Sequence, residues 1–194
     1  MILNSRIVIL MMICFTLGAC AFTPQAAVIN PQVSLADTNE GHGATVTVRV
    51  VDERSDTVLG HRGAAFGKGA KITTDQDIEA LIREEILKGL AKKGFSPINC
   101  DADSTPNLKV EIRLLEYSTS TGFWTGGVHT KATLKAIANV NEKTYENLYR
   151  VDNEKRVFFV PSASANQKLL DELVSEVLNK LFQDNELIAF LAEL

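Results

Sequence analysis

The sequence is poor in cysteine, in histidine and in excess charge of one sign, and each shortage argues against a class of protein. Three cysteines, at positions 14, 20 and 100, are too few for a fold held together by several disulfide bonds. Twenty basic residues face 24 acidic ones, so no phosphate-tracking stripe exists and nucleic acid is not expected as a partner. His42, His61 and His129 lack a companion cysteine or histidine at ligand spacing, so we predict neither a metal nor a cofactor.

Long apolar runs are also scarce, and the one at the N-terminus is too short to cross a membrane. It extends from Ile7 to Leu17 behind one basic residue, Arg6, and ends in the small residues Gly18 and Ala19. As a helix this run rises about 16 Å, whereas a hydrocarbon core is about 30 Å thick. A basic start, a short apolar run and small residues are typical of a secretory signal peptide, which we predict over residues 1–19.

The end of this leader, Leu17-Gly18-Ala19-Cys20, resembles a lipobox. In that motif the cysteine is diacylated on its sulfur and becomes the N-terminus after cleavage, so the resemblance implies lipid on Cys20. Several acyl chains would hold the protein on a membrane, because each buried CH₂ contributes about 0.8 kcal/mol. Ala21 stands where Asp would signal inner-membrane retention, which implies the periplasmic face of the outer membrane in a Gram-negative cell.

The mature chain is expected to form one domain behind a short tether. We predict the lipidated cysteine and tether over residues 20–27 and a single periplasmic domain over residues 28–194. Alternating apolar residues predict strands, whereas apolar residues at helical spacing predict two long amphipathic helices. The predicted strands are Ala44 to Val51, Leu108 to Tyr117, Thr130 to Val140 and Tyr145 to Val160, and the helices begin near Thr74 and Ser164. This order predicts an α+β fold (β-α-β-meander-α), with both long helices on one face of a largely antiparallel sheet.

Three short segments resemble, in their order, the YajG family of small lipoproteins. They are Val28-Ile29-Asn30-Pro31 after the tether, Asp52-Glu53-Arg54-Ser55 after a strand, and Lys93-Gly94-Phe95 at the end of the first helix. The likeness is clearest over about residues 17–117 and looser through the last helix. It implies an outer-membrane lipoprotein and brings no catalytic residues.

Two places are candidates for contact with a partner. Arg54 could grip a carboxylate or phosphate with both prongs of its guanidinium, or it could pair locally while Asp52 or Asp56 caps the turn. Phe123 and Trp124 lie between two predicted strands, where exposed aromatic residues often anchor a partner or enter a membrane interface. They could equally fold back over the sheet.

The sequence contains no constellation typical of catalysis, and we predict no catalytic residues. The leading hypothesis is a membrane-anchored, non-enzymatic binding or accessory module that contacts an envelope protein or a cell-wall component. One alternative is an envelope hydrolase, which would need dispersed residues such as Asp52, His61 and His129 to converge within hydrogen-bonding reach. Another is a carrier of lipophilic molecules, which would need a cavity between sheet and helices.

Overall fold

One eight-stranded sheet and three helices make up the part of the chain that the computed structural model describes: residues 23–63, 69–100, 104–121, 126–158 and 160–194. The strands are β1 (Gln25–Ala26), β2 (Thr45–Asp52), β3 (Gly60–Arg62), β4 (Ala70–Thr73), β5 (Ser96–Asn99), β6 (Leu108–Thr121), β7 (Gly126–Val140) and β8 (Lys143–Val157). The helices are α1 (Ile78–Lys92), α2 (Ala163–Phe182) and α3 (Asn185–Leu191).

The sheet mixes parallel and antiparallel pairing. Parallel pairs join β2 to β5, β2 to β6, β3 to β6 and β1 to β4. Antiparallel pairs join β3 to β4, β6 to β7 and β7 to β8. The prediction of a largely antiparallel sheet is therefore corrected to a mixed α/β sheet. The physical reason is that β3, β4 and α1 lie between β2 and β5 in the chain, and α1 leads the chain back to the start of β2, so β5 runs beside β2 in the same direction.

The helices differ in number and length from the two long ones that the sequence predicted. They contain 15, 20 and 7 residues, and each begins at a capping side chain. Asp77 accepts from the Ala80 N–H, and Ser162 from the Ala165 N–H. Asp184 breaks the helical run after α2, because its carboxylate accepts from the Glu186 and Leu187 N–H groups and starts α3.

The core lies between the sheet and the helices. Burial alternates along β7, as expected for a strand with one face against a core. The two longer helices also touch each other. A Cβ placed on Gly89 of α1 would lie 2.1 Å from the ring of Phe182 in α2, so only glycine allows this approach.

The opposite face of the sheet is covered by ion pairs. Lys109 and Arg113 both pair with Glu111, while the Lys135 Nζ lies 2.6 Å from a carboxylate oxygen of Glu146. Burial alone would raise the pKa of Glu111, but hydrogen bonds from Lys109 and Arg113 outweigh it and hold that pKa below its ordinary value. The charged groups satisfy one another here, so this face needs no apolar cover.

The domain starts earlier than the sequence indicated. Gln25 and Ala26 form β1, paired in parallel with β4, and Gln25 and Ala27 are buried. The following backbone runs over the helices, where the Asn30 N–H donates to Asp171 of α2 at 2.7 Å. Residues 25–27, which the sequence assigned to the tether, therefore belong to the folded domain.

Asp184 also fastens the C-terminal helix to the sheet. The hydroxyl groups of Tyr145 and Tyr149 and the amide of Asn147 all donate to its Oδ2, at 2.8, 2.6 and 2.8 Å. Burial raises the pKa of Tyr145 to about 12 and, aided by Asp184, raises that of Tyr149 further. For Asp184, burial acts upward, but these hydrogen bonds outweigh it and keep its pKa low.

Candidate functional site

The turn after β2 holds Arg54 in a two-pronged ion pair with Asp52. The Arg54 Nε donates to Asp52 Oδ1 at 2.8 Å, and its NH2 donates to Oδ2 at 2.6 Å. The neighbouring Asp56 accepts from the Val58 N–H at 2.9 Å, which closes the rest of the turn. Local pairing, one of the two interpretations of this motif, is therefore present, and it uses two of the three guanidinium nitrogens.

The third nitrogen of Arg54 is what makes this turn a candidate site. Only 4% of the Arg54 side chain is exposed. Its NH1 is buried and has no hydrogen-bond partner among the described residues. A buried donor left without an acceptor costs about 1–3 kcal/mol. The hydrogen bond from Arg54 also lowers the pKa of Asp52, so the pair stays ionised at neutral pH.

Two cavities meet at Arg54. One, of about 290 Å³, lies between the turn, β3 and β6. The other, of about 370 Å³, lies between the turn and the start of α1. Residues that line the first include Ser55, Val58, His61, Arg113 and Tyr117; residues that line the second include Asp52, Thr74, Gln76 and Glu79.

The first cavity has a simple cause in the sheet. Strand β2 pairs with β6 only as far as Ile112, and β3 rejoins β6 at Tyr117. In the same stretch of β6, the register of its pairing with β7 shifts between Ile112 and Leu114. The edge of β6 that faces the turn is thus left open by both strands, and the cavity occupies the gap. Glu79 of α1 supports the turn from the other side, since it accepts from the Asp52 N–H at 2.7 Å.

The residues proposed for an enzymatic alternative are spread over different places. Asp52 lines the cavity beside α1, whereas His61 lines the one beside β6. His129 lies on β7 with its Nε2 3.4 Å from the Ser120 Oγ. Within the described ranges, no group of three or more His, Cys, Asp or Glu side chains is placed to hold a metal ion. Cys100 is buried beside Arg49.

A buried polar cluster, absent from the sequence predictions, lies where β1, β3 and the start of α2 meet. The Arg62 side chain donates to Gln25 Oε1 at 3.1 Å and to the Pro161 carbonyl at 3.2 Å. Asn166 donates to the same Gln25 oxygen at 3.0 Å, and the Tyr117 hydroxyl donates to Asn166 at 2.6 Å. Burial raises the pKa of Tyr117 to about 12, and the charge of Arg62 opposes that rise.

Sequence reasoning missed this cluster because its members are far apart along the chain. Gln25 and Arg62 are 37 residues apart, and Gln25 and Asn166 are 141 apart. Arg62 itself carried no usable sequence signal, because it ends β3, a strand of three residues that is too short to show an alternating pattern. The lipobox residues Leu17, Gly18, Ala19 and Cys20, and the aromatic pair Phe123 and Trp124, lie outside the described residues.

The fold and the site together define a small mixed α/β domain with a cavity at a sheet discontinuity. None of the helices in the described ranges has the length and apolar character needed to span a bilayer. The chain belongs to a lipoprotein family: the family model described as "Uncharacterized lipoprotein" matches residues 31–192. Membership in a lipoprotein family implies membrane anchoring through a lipidated cysteine. No curated protein matches the chain.

Several solved structures are similar to this chain at low sequence identity. Protein XCC0632 from Xanthomonas campestris superposes with a TM-score of 0.50 at 10% identity, over 82% of this chain and 92% of that one. A neuraminyllactose-binding hemagglutinin homolog from Helicobacter pylori gives 0.48 at 11% identity, over 82% and 91%. Uncharacterized lipoprotein B from Nitrosomonas europaea gives 0.41 at 6% identity, over 78% and 88%. Of these three, only XCC0632 reaches a TM-score of 0.50 and supports an argument, and at 10% identity that argument concerns the fold alone.

Proposed function

We propose that this protein is a non-enzymatic binding or accessory module, anchored by Cys20 to the periplasmic face of the outer membrane. Its family supports the anchor, and Ala21 after the cysteine supports the outer rather than the inner membrane. The partner is an envelope protein or a cell-wall component. The cavity between the turn and β6 is the surface that contacts it.

The single observation that carries this proposal is the unused NH1 of Arg54. The other two nitrogens are occupied by Asp52, so the guanidinium is already charge-balanced. What remains is a donor rather than a net positive charge. A carbonyl or hydroxyl oxygen that reaches NH1 from one of the two cavities lined by Arg54 would satisfy it, which favours a peptide or sugar group over a free phosphate.

The partner can be captured by placing a photo-crosslinking amino acid at Ser55. This residue is exposed and lines the cavity. The matched control carries the same amino acid at Ala189, an exposed position on α3. We expect illumination of living cells to give a discrete adduct from position 55 that is absent from position 189. Mass spectrometry of that adduct then identifies a protein or a cell-wall fragment. Identical products from both positions would contradict the assignment of the cavity.

The anchor needs its own test. Mass spectrometry of the N-terminal peptide from native membranes should find Cys20 acylated and residues 1–19 removed. Density-gradient separation should then place the protein with outer-membrane markers. An unmodified thiol at position 20 would overturn the anchor, whereas an acylated protein in the inner-membrane fraction would correct only its location.

A further inference from the structure

The described residues place the start of β1, the end of β8 and the start of α2 at one end of the domain. Four residues form one row across the sheet: Gln25, Ile72, Gly60 and Tyr117. The chain enters β1 from the side of this row on which β6 ends, because β1 is parallel to β4 and therefore antiparallel to β3 and β6. The same end holds the last residue of β8, Val157, which pairs with Gly126.

The start of α2 lies at this end as well. The side-chain amide of Gln25 donates to the Ala163 carbonyl at 2.8 Å. Cys20 precedes Gln25 by five residues, and five extended residues reach about 17 Å. An acylated Cys20 would therefore keep this end, which we call the anchor end, close to the lipid leaflet.

The surface of the anchor end suits such a neighbour. Between β8 and α2, Phe158 is 80% exposed and Val160 is 39% exposed. The exposed basic residues Lys155 and Arg156 precede Phe158 by three and two positions, and Glu154 offsets only part of their charge. Basic residues next to exposed apolar ones are typical of surfaces that lie in the headgroup region of a bilayer.

From these placements we infer that the anchor end rests on the membrane, with Phe158 and Val160 inserted among lipid headgroups. This inference rests on the proposed anchoring through Cys20. It assigns a second membrane contact and one orientation to the domain. Strand β6 then ends near the leaflet, and its earlier residues lie progressively further from it. The cavity at Arg54, which β6 lines from Arg113 to Ser118, is held roughly 10–25 Å above it, since these residues come three to eight positions before Thr121 along a strand.

The orientation can be measured on the acylated mature protein with fluorescent labels. Phe158→Cys and Glu142→Cys variants are labelled with the environment-sensitive fluorophore NBD and reconstituted in vesicles of phosphatidylethanolamine and phosphatidylglycerol. Glu142 lies in the turn between β7 and β8, at the opposite end of the sheet. Cys100 is buried and Cys20 acylated, so the unmutated protein serves as the labelling blank.

We expect a blue shift and a several-fold rise in NBD emission at position 158, with quenching by brominated lipids, and no change at position 142. Vesicle flotation is measured on the same samples. Protein that floats while both labels emit alike would overturn the orientation and leave the anchor intact. Protein that does not float would overturn the anchor and the orientation with it.

A second pair of variants carries the label at position 160, so that the contribution of Phe158 itself can be tested. NBD is placed on Val160→Cys, with and without the further change Phe158→Ser. Because Phe158 is exposed, its replacement leaves the fold unaffected. We expect the blue shift at position 160 to be present with Phe158 and reduced by Phe158→Ser. An equal shift in both proteins would contradict insertion of Phe158.

Discussion

Among the described residues, the guanidinium groups of Arg54 and Arg62 are both buried, and their surroundings differ. Arg54, in the turn after β2, is held by the carboxylate of Asp52, two residues away. Arg62, at the end of β3, is 4% exposed, and its hydrogen bonds within the described residues go to neutral oxygens of Gln25 and Pro161. The first charge is balanced within one turn, whereas the second depends on segments from both ends of the chain.

This comparison shows which groups compensate each buried charge. A buried charge costs several kcal/mol unless it is paired or well hydrogen-bonded. At Arg54 the carboxylate supplies that compensation locally. At Arg62 the compensation comes from polar groups that meet only when β1 docks beside α2. The Arg62 cluster therefore ties the strand next to the membrane anchor to the rest of the domain.

Removal of the carboxylate in Asp52→Ala should have the largest effect. It leaves the Arg54 charge buried without its partner, and we expect the free energy of unfolding to fall by about 3 kcal/mol. Urea unfolding measures this. The double variant Asp52→Ala/Arg54→Met is the control and should recover most of the loss, because no buried charge remains. A single variant as stable as the wild type would show that Arg54 does not need its counter-charge.

Gln25→Ala should have the next largest effect. It removes the acceptor shared by Arg62 and Asn166 and the donor to Ala163, so we expect a loss of about 2 kcal/mol. Gln25→Glu supplies a counter-charge to Arg62 in nearly the same shape and should cost less. A Gln25→Glu variant less stable than Gln25→Ala would show that a counter-charge does not stabilise Arg62.

Tyr117→Phe should have a smaller effect at the edge of the same cluster. The hydroxyl donates to Asn166, which touches Gln25 but makes no hydrogen bond to Arg62. We expect unfolding free energy to fall by about 1 kcal/mol, the ordinary contribution of one buried hydrogen bond. Thermal unfolding monitored by circular dichroism measures it. A loss as large as that of Gln25→Ala would mean that the four side chains act as one unit.

The smallest expected effect is a pH dependence of the unfolding free energy, which the Arg54–Asp52 pair should show and the Arg62 cluster should not. The pKa of Asp52 is lowered in the folded protein, mainly by its hydrogen bond from Arg54. Its stabilising contribution is therefore complete above the unfolded value of about 3.9 and is lost as the pH falls through the lower folded pKa. The difference in unfolding free energy between wild type and Asp52→Asn should shrink between about pH 5 and pH 2.

The matched comparison is Gln25→Ala against wild type over the same range. The Gln25 amide does not titrate, so that difference should stay constant while the Asp52 difference shrinks. Parallel decline of both differences would show that acid weakens the whole domain rather than the Arg54 pair.

Much of the local structure could be predicted from the sequence. The alternation of Val46, Val48 and Val50 located β2 to within one residue, and the stripe that contains Leu170, Leu173 and Val177 located α2. These patterns work because a strand or helix that buries one face must repeat its apolar residues with its own period. The pairing of Arg54 with Asp52 was also foreseeable as one of two alternatives, because the two residues share a turn.

Other features could not be predicted from those patterns. The direction of each strand depends on its neighbours, and alternation is the same in parallel and antiparallel sheets, so the parallel position of β2 beside β6 was missed. The end of the tether was misplaced because β1 has only two residues, too few for a period. The cavity beside β6 exists only because two strands share one edge of a third.

The sequence alone therefore determined the positions of the main strands and helices; it predicted the signal and lipid site at Cys20 and offered the pairing of Arg54 with Asp52 as one of two alternatives. All of these depend on residues close together along the chain. Only the tertiary structure decided the mixed sheet, the cluster of Arg62 with Gln25 and Asn166, and the meeting of Phe158 with the anchor end. Each of those joins residues far apart in sequence, and such contacts form only when the chain packs.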